Sequence, residues 1–321
     1  MKNKMFISDK YGRTFGTLRV SLTNVCNFYC TYCREEGFIS KKNGLKVLNY
    51  MELAEIVNVL NKIFHFKSIR LTGGEPTLYH NLIPFIERLR FYNIDNIKIT
   101  SNGYLLKKIA QNLSVAGVRK INISLDAIDS KIFYLITRTD ALNKVIEGIE
   151  ESLRNNISVK INSVIMRNIN ENQIIPLLEF GISKNIKVRF LELMKMGHLY
   201  FKEFDKYFYS TNKIISVINN KYLIVKSYRR ANATATYWQI ENGYEFGTIS
   251  NESQPFCSDC DRLRLDSYGN IYGCISSEVK ENIANIIHDE NLLKDSLIKA
   301  LSQKQSIKFT GCATPMIAIG G

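Results

Sequence analysis

The segment Thr17-Leu18-Arg19-Val20-Ser21-Leu22-Thr23-Asn24-Val25-Cys26-Asn27-Phe28-Tyr29-Cys30-Thr31-Tyr32-Cys33 carries an alternating, β-branched run into three cysteines spaced CxxxCxxC. The run predicts a strand over 17–22, with the polar residues after it forming a loop at the strand's C-terminal end. The same arrangement recurs, predicting strands over 68–71, 97–100, 120–125, 158–164 and 187–193. Between them, apolar residues at three- and four-residue spacing predict helices over 51–64, 82–92, 105–116, 142–154 and 174–184. Strands alternating with helices imply right-handed βαβ units and a parallel sheet. Six such units fall short of the eight of a closed barrel. An open, partial barrel or a doubly wound sheet are the two solutions.

Polar motifs follow the strands in register. They are Thr23-Asn24-Val25-Cys26, Thr72-Gly73-Gly74-Glu75-Pro76, Thr100-Ser101-Asn102-Gly103, Ser124-Leu125-Asp126 and Glu192-Leu193-Met194. Each sits at a strand's C-terminal end, the face where parallel α/β proteins bind ligands. Together they predict one pocket. Beyond about Gly197 the pattern weakens. Residues 201–209 are aromatic and charged, 222–225, 236–240 and 244–248 read as short strands, and 282–301 reads as a helix. The expected division is a core over 1–200 and a smaller mixed region over 201–321.

Of the 321 residues, 45% are hydrophobic and 23% charged, which excludes a disordered chain, collagen or a coiled coil as a description of the whole. No apolar run approaches the roughly 18 residues of a membrane span. Residues Met1 to Ser8 lack the apolar stretch of a secretory signal, so a cytoplasmic location is expected. The formal charge of +13 favours anionic partners, although no block of like charges marks one surface.

Seven cysteines in such a chain point to metal or redox chemistry rather than disulfides. Cys26, Cys30 and Cys33 give three soft ligands, where a closed zinc site wants four. Three thiolates would leave one iron of a [4Fe–4S] cluster open to another ligand. Cys257, Cys260 and Cys274 repeat that count. Beyond Cys260 lie Arg262, Leu263 and Arg264, and strand alternation puts the two guanidiniums on one face, suited to phosphate oxygens. Cys312 reads as a structural or incidental thiol rather than a fourth ligand.

Cys26-Asn27-Phe28-Tyr29-Cys30-Thr31-Tyr32-Cys33 followed by Gly73-Gly74-Glu75-Pro76 resembles the radical S-adenosylmethionine superfamily. The resemblance implies the partial (βα)6 TIM-like barrel. It also implies S-adenosylmethionine chelated by the first cluster and cleaved reductively to a deoxyadenosyl radical. It assigns contacts with that molecule to Tyr32, Gly74, Ser124 and Met194. Phe256-Cys257-Ser258-Asp259-Cys260-Asp261-Arg262-Leu263-Arg264-Leu265, the later Cys274 and the Gly320-Gly321 ending narrow it further. They resemble the molybdenum cofactor biosynthesis protein A family of GTP 3′,8-cyclases. That resemblance implies a second [4Fe–4S] cluster whose open iron takes guanine. It implies GTP contacts at Arg19, Arg70, Thr100, Lys160, Arg189, Arg262, Leu263 and Arg264, with Arg19, Arg262 and Arg264 assigned to catalysis.

The same resemblance implies hydrogen abstraction at ribose C3′ and closure onto C8 of guanine. The product would pass to cyclic pyranopterin monophosphate synthase, and a homodimer is the common assembly. Neither nucleic acid nor membrane is expected as a partner. Ser68 stands where that family commonly has a basic residue, and Asp261 where Asn or Thr is usual. Two other readings compete: a peptide- or haem-modifying radical enzyme with an auxiliary cluster, and a basic zinc-binding nucleic-acid module.

Overall fold

The computed structural model describes residues 7–35 and 46–320. Six strands follow one another as parallel neighbours: β1 (Thr17–Ser21), β2 (Ser68–Thr72), β3 (Ile97–Ser101), β4 (Lys120–Ser124), β5 (Ser158–Ile165) and β6 (Lys187–Glu192). Helices Tyr50–Phe64, Leu82–Phe91, Leu106–Val115, Leu142–Arg154 and Ile174–Ser183 follow the expected positions to within a residue or so at each end. An Asn49–Glu52 capping box starts the first of them, with Asn49 accepting from the Met51 and Glu52 amides. Helix Ser130–Thr137, capped by Asp129, is an addition too short to show clear periodicity.

The later strands extend the sheet at both ends. They are β7 (Ile224–Lys226), β8 (Thr236–Ile240), β9 (Glu245–Ile249), β10 (Arg262–Leu265), β11 (Asn270–Tyr272) and β12 (Glu281–Asn282). The order is β12-β11-β10-β1-β2-β3-β4-β5-β6-β9-β8-β7. Both β10 on β1 and β9 on β6 are parallel pairings, so the barrel-like run continues past its six units. The end strands β12 and β7 do not pair with each other, leaving an open, partial barrel.

Alternation sorts the strands' two faces. Leu18, Val20, Ile69, Leu71, Leu263 and Leu265 turn into the hydrophobic core. Their neighbours Arg19, Arg70, Arg262 and Arg264 turn into a cavity. The helix expected over 282–301 is shorter. Asn282 pairs in β12 and its side chain donates to Tyr268 O and Asn270 Oδ1, so helix begins only at Glu290, capped by Asp289. The strand expected at 222–225 is shifted to Ile224–Lys226, and helix Thr211–Asn219 precedes it. No helix among the described residues is long and apolar enough to cross a membrane.

Candidate active site

One cavity of about 470 Å³ is lined by all six clustered cysteines, Cys26, Cys30, Cys33, Cys257, Cys260 and Cys274. All are free thiols. The first three sit on a loop suspended from a helix end. Tyr29 N donates to Thr137 O at 2.9 Å and Thr31 N to Ile136 O at 2.9 Å, using carbonyls that the helix Ser130–Thr137 leaves open. Arg34 ties the loop's far side by donating to Phe28 O at 2.8 Å and lying over the Tyr29 ring. Burial, then the neighbouring thiols, push Cys30 well up, and burial and Cys26 push Cys33 to about 12. As metal-free thiols these groups are neutral at physiological pH, and a metal would have to displace their protons.

The Gly73–Pro76 turn locks onto this loop. Gly74 N donates to Thr23 O at 2.6 Å and Glu75 N to Val25 O at 2.8 Å. The Glu75 carboxylate is buried and accepts from Thr77, Ser101 and Asn102. Asn102 in turn donates to Asn27 Oδ1 at 2.8 Å, so the ends of β2 and β3 both fix the cysteine loop. Tyr32 donates to Asp126 Oδ2 at 2.8 Å. Burial raises Asp126 to about 6, although the Val164 amide and Tyr32 pull it down.

The second set hangs between the two chain halves. Arg13 donates to Cys257 O and to Gln305 O, and pairs with Asp9 at 2.6 Å. Gly16 N and Thr17 N both donate to Asp261 O, which joins the cysteine loop to the start of β1. Lys304 is 3% exposed, and its ammonium donates to Cys260 Sγ at 3.2 Å and Arg262 O at 2.7 Å. Burial pushes the Cys260 thiol up, but Arg262 and Lys304 outweigh it and set it at about 7. A buried ammonium facing a thiol favours the thiolate, the form that binds a metal.

No three His, Cys, Asp or Glu side chains among the described residues stand close enough to share one metal ion. A polynuclear cluster, whose thiolates bind different irons, fits cysteines spread around a cavity. A mononuclear zinc site would need its ligands to converge.

Of the other residues singled out in the sequence, Arg19, Tyr32, Arg70, Gly74, Thr100 and Ser124 line the same cavity. So do Arg189, Met194, Arg262 and Arg264. Burial pulls Arg19 well down, helped by the charges of Arg264, Arg70, Arg262 and Arg189. Burial also lowers Arg70 and Arg264 to about 10 each. Arg189 is 9% exposed, and its Nε and Nη2 find no hydrogen-bond acceptor among the described residues. So many crowded guanidiniums, with no carboxylate row against them, await an anion.

Two of the singled-out residues lie elsewhere. The Lys160 ammonium donates to Tyr237 Oη at 3.0 Å and is not part of the lining. Leu263 is fully buried among core side chains, leaving only its peptide groups to face a ligand. Gly320 accepts from Arg264, while Gly321 lies outside the described residues. Cys312 is buried beside Met196, Phe309 and Ile319 and accepts from Thr314 N. Lys98 and Lys304 escape a reading of the sequence, for no local motif marks them.

The chain has counterparts among known proteins. Residues 20–181 match the Radical SAM superfamily, and residues 186–310 match the family described as Molybdenum Cofactor Synthesis C. The chain is 35% identical over 304 residues to the GTP 3′,8-cyclase of Helicobacter pylori strain HPAG1, covering 92% of each chain. It is 36% identical over 302 residues to the GTP 3′,8-cyclase of Staphylococcus carnosus, covering 89% of this chain and 87% of that one. Among solved structures it resembles Streptococcus suis SuiB bound to S-adenosylmethionine, with a TM-score of 0.66 and 14% identity. That likeness covers 90% of this chain and 68% of SuiB. At that identity the likeness to SuiB is one of fold. The chain belongs to the radical SAM superfamily and, within it, to the family of the GTP 3′,8-cyclases.

Proposed function

We propose that this protein converts GTP to 3′,8-cyclo-7,8-dihydro-GTP, the first step of molybdenum cofactor biosynthesis. The observation that carries the reading is the single cavity in which two cysteine triads face a crowd of arginines. Cys26, Cys30 and Cys33 would hold one [4Fe–4S] cluster, and Cys257, Cys260 and Cys274 the other. When bound, the reduced first cluster and S-adenosylmethionine supply the carbon radical that removes hydrogen from ribose C3′, and the second cluster supplies a seat for guanine.

The chain does the rest by binding and orientation. Tyr32, held by Asp126, faces the adenine side of S-adenosylmethionine, Gly74 offers its backbone to the methionine part, and Ser124 and Met194 complete that wall. Arg19, Arg70, Arg189, Arg262 and Arg264 receive the triphosphate, with Thr100 beside Arg70. Guanidiniums already fixed by burial cost no reorganisation as the substrate's charge redistributes, which is the catalytic part of Arg19, Arg262 and Arg264. Lys160 can join once it leaves Tyr237, and Leu263 contributes through its backbone alone. Met194, Met196 and Phe309 give the cavity apolar walls that displace water from the radical's path. The product passes to cyclic pyranopterin monophosphate synthase. The reduced thiols suit the cytosol, and a homodimer is the assembly we expect.

The test is anaerobic. Reconstituted protein is incubated with S-adenosylmethionine and dithionite, with and without GTP, and 5′-deoxyadenosine and cyclised nucleotide are measured. Cyclised GTP that disappears in Cys26→Ala and in Cys257→Ala is the expected result. Cleavage of S-adenosylmethionine with no nucleotide product would reject this substrate.

A further inference from the structure

Four cations stand in one cross-strand row. Arg264 on β10 is the register partner of Arg19 on β1, Arg19 of Arg70 on β2, and Arg70 of Lys98 on β3. All four line the cavity. Like charges directly opposite each other destabilise a sheet, so an unbroken row of them costs folding free energy. Arg264 recovers part through the Gly320 carbonyl and Arg70 through Thr100. The Lys98 ammonium makes no hydrogen bond or ion pair among the described residues.

We infer that Lys98 is a substrate-binding residue that holds the terminal phosphate of the nucleoside triphosphate. The inference rests on the GTP reading above. The row starts at β10, next to the second cysteine set, and runs away from it across four neighbouring strands. Three strand spacings span about 14 Å, the scale of an extended nucleotide. A base seated at the second cysteine set therefore lays its phosphates along the row, and Lys98 is its far end. Ser68 lies diagonally across from Lys98 at the cavity wall and brings a hydroxyl in place of a charge. Lys98's four-carbon stem can carry its ammonium over that gap.

The charged groups that act on Lys98 come from β2, β4, β5 and the loop before β10. Burial lowers it to about 8, and Arg70, Lys120 and Lys160 push in the same direction, while Asp261 pulls it back up. A polyanion reverses the balance and raises it again. GTP binding near pH 8 should thus take up protons.

The experiment is calorimetric titration of the reconstituted protein with GTP, GDP and GMP, for wild type, Lys98→Gln and Lys98→Arg. One charge-assisted hydrogen bond lost predicts about 10- to 100-fold weaker GTP binding in Lys98→Gln. GMP affinity should not move, and Lys98→Arg should bind GTP within a few-fold of wild type. Titrations in two buffers at pH 8 should show proton uptake with GTP that shrinks in Lys98→Gln. Equal losses for GTP and GMP, or no loss for GTP, overturn the assignment while leaving the substrate reading intact. Wild-type protein that binds no GTP overturns the substrate reading, and the assignment with it.

Discussion

Replacing Gly74 by Ala tests how the turn after β2 positions the first cysteine set. An ideal Cβ at Gly74 would stand 2.5 Å from the Val25 carbonyl carbon and 3.0 Å from that of Asn24, with the Val25 oxygen nearer still. Ordinary carbon contacts lie at about 3.5–4.0 Å, so the Val25 peptide must retreat by about 1 Å. That retreat opens the 2.8 Å bond from Glu75 N to Val25 O. Overpacking and one lost hydrogen bond together cost about 2–4 kcal/mol. A domain with about 5–15 kcal/mol in hand still folds. Cys26, the next residue, moves with the peptide, and a displacement of about 1 Å in a reacting assembly costs on the order of 10²-fold. The assay is 5′-deoxyadenosine formation per reconstituted chain, alongside iron content and a thermal melt. Gly243→Ala is the control, because its added Cβ meets nothing within 4 Å although its φ is +87°. A folded Gly74→Ala protein that cleaves S-adenosylmethionine at the wild-type rate would show that the close approach of the two loops is not needed, and the argument would fail.

Other perturbations separate the remaining supports. Gly273→Ala would drive a Cβ into the Ala300 peptide, whose carbon would lie 2.9 Å away, and so shift Cys274; iron content should fall to the first cluster's share, with the Gly243→Ala protein unchanged. Asp9→Asn strands the buried Arg13 guanidinium and should cost about 3 kcal/mol, read by urea denaturation. Burial pushes the Asp9 carboxyl up, but the hydrogen bonds from Arg13 and the Tyr11 amide outweigh it and hold it below the ordinary 3.8. Its folded value is the lower one, so its stabilisation is complete above the unfolded pKa and lost as pH falls through the folded one; Asp9→Asn should flatten stability against pH only below about pH 4. Glu192→Ala removes a buried carboxylate that accepts from Thr211 N, Glu252 N and Ser253 N, and hydrogen exchange should quicken at those amides before it does in β1–β4.

The parts of this site that the sequence discloses are the local ones. Cys26, Cys30 and Cys33 lie close together in the chain, so CxxxCxxC names its own chemistry, and strand alternation correctly separates Arg262 and Arg264 from Leu263. Pairings between distant segments leave no such trace. Lys160 follows the same alternation, yet it meets Tyr237, which lies 77 residues away. Lys304 reaches Cys260 only because the chain beyond helix Glu290–Ser302 returns to the cavity. Lys98 reads as one more lysine until the register of β2 and β3 sets it beside Arg70. The segment 282–301 misled because apolar spacing cannot show that Asn282 is bound to a strand edge.

The pairing of β1 with β10 sets the order in which this protein can be finished. Thr17 and Arg262, its register partner, are separated by about three quarters of the chain. At translation rates of about 5–20 residues per second, β1 waits roughly 12–50 s for that neighbour to be made. Through that interval the edge of β1 that β10 will cover offers unpaired amides and carbonyls next to the nascent Cys26–Cys33 loop. The first three cysteines are in the chain before the second three have been synthesised. A newborn chain would therefore carry its first cysteines beside an open strand edge, exposed to pairing with a second chain until β10 arrives.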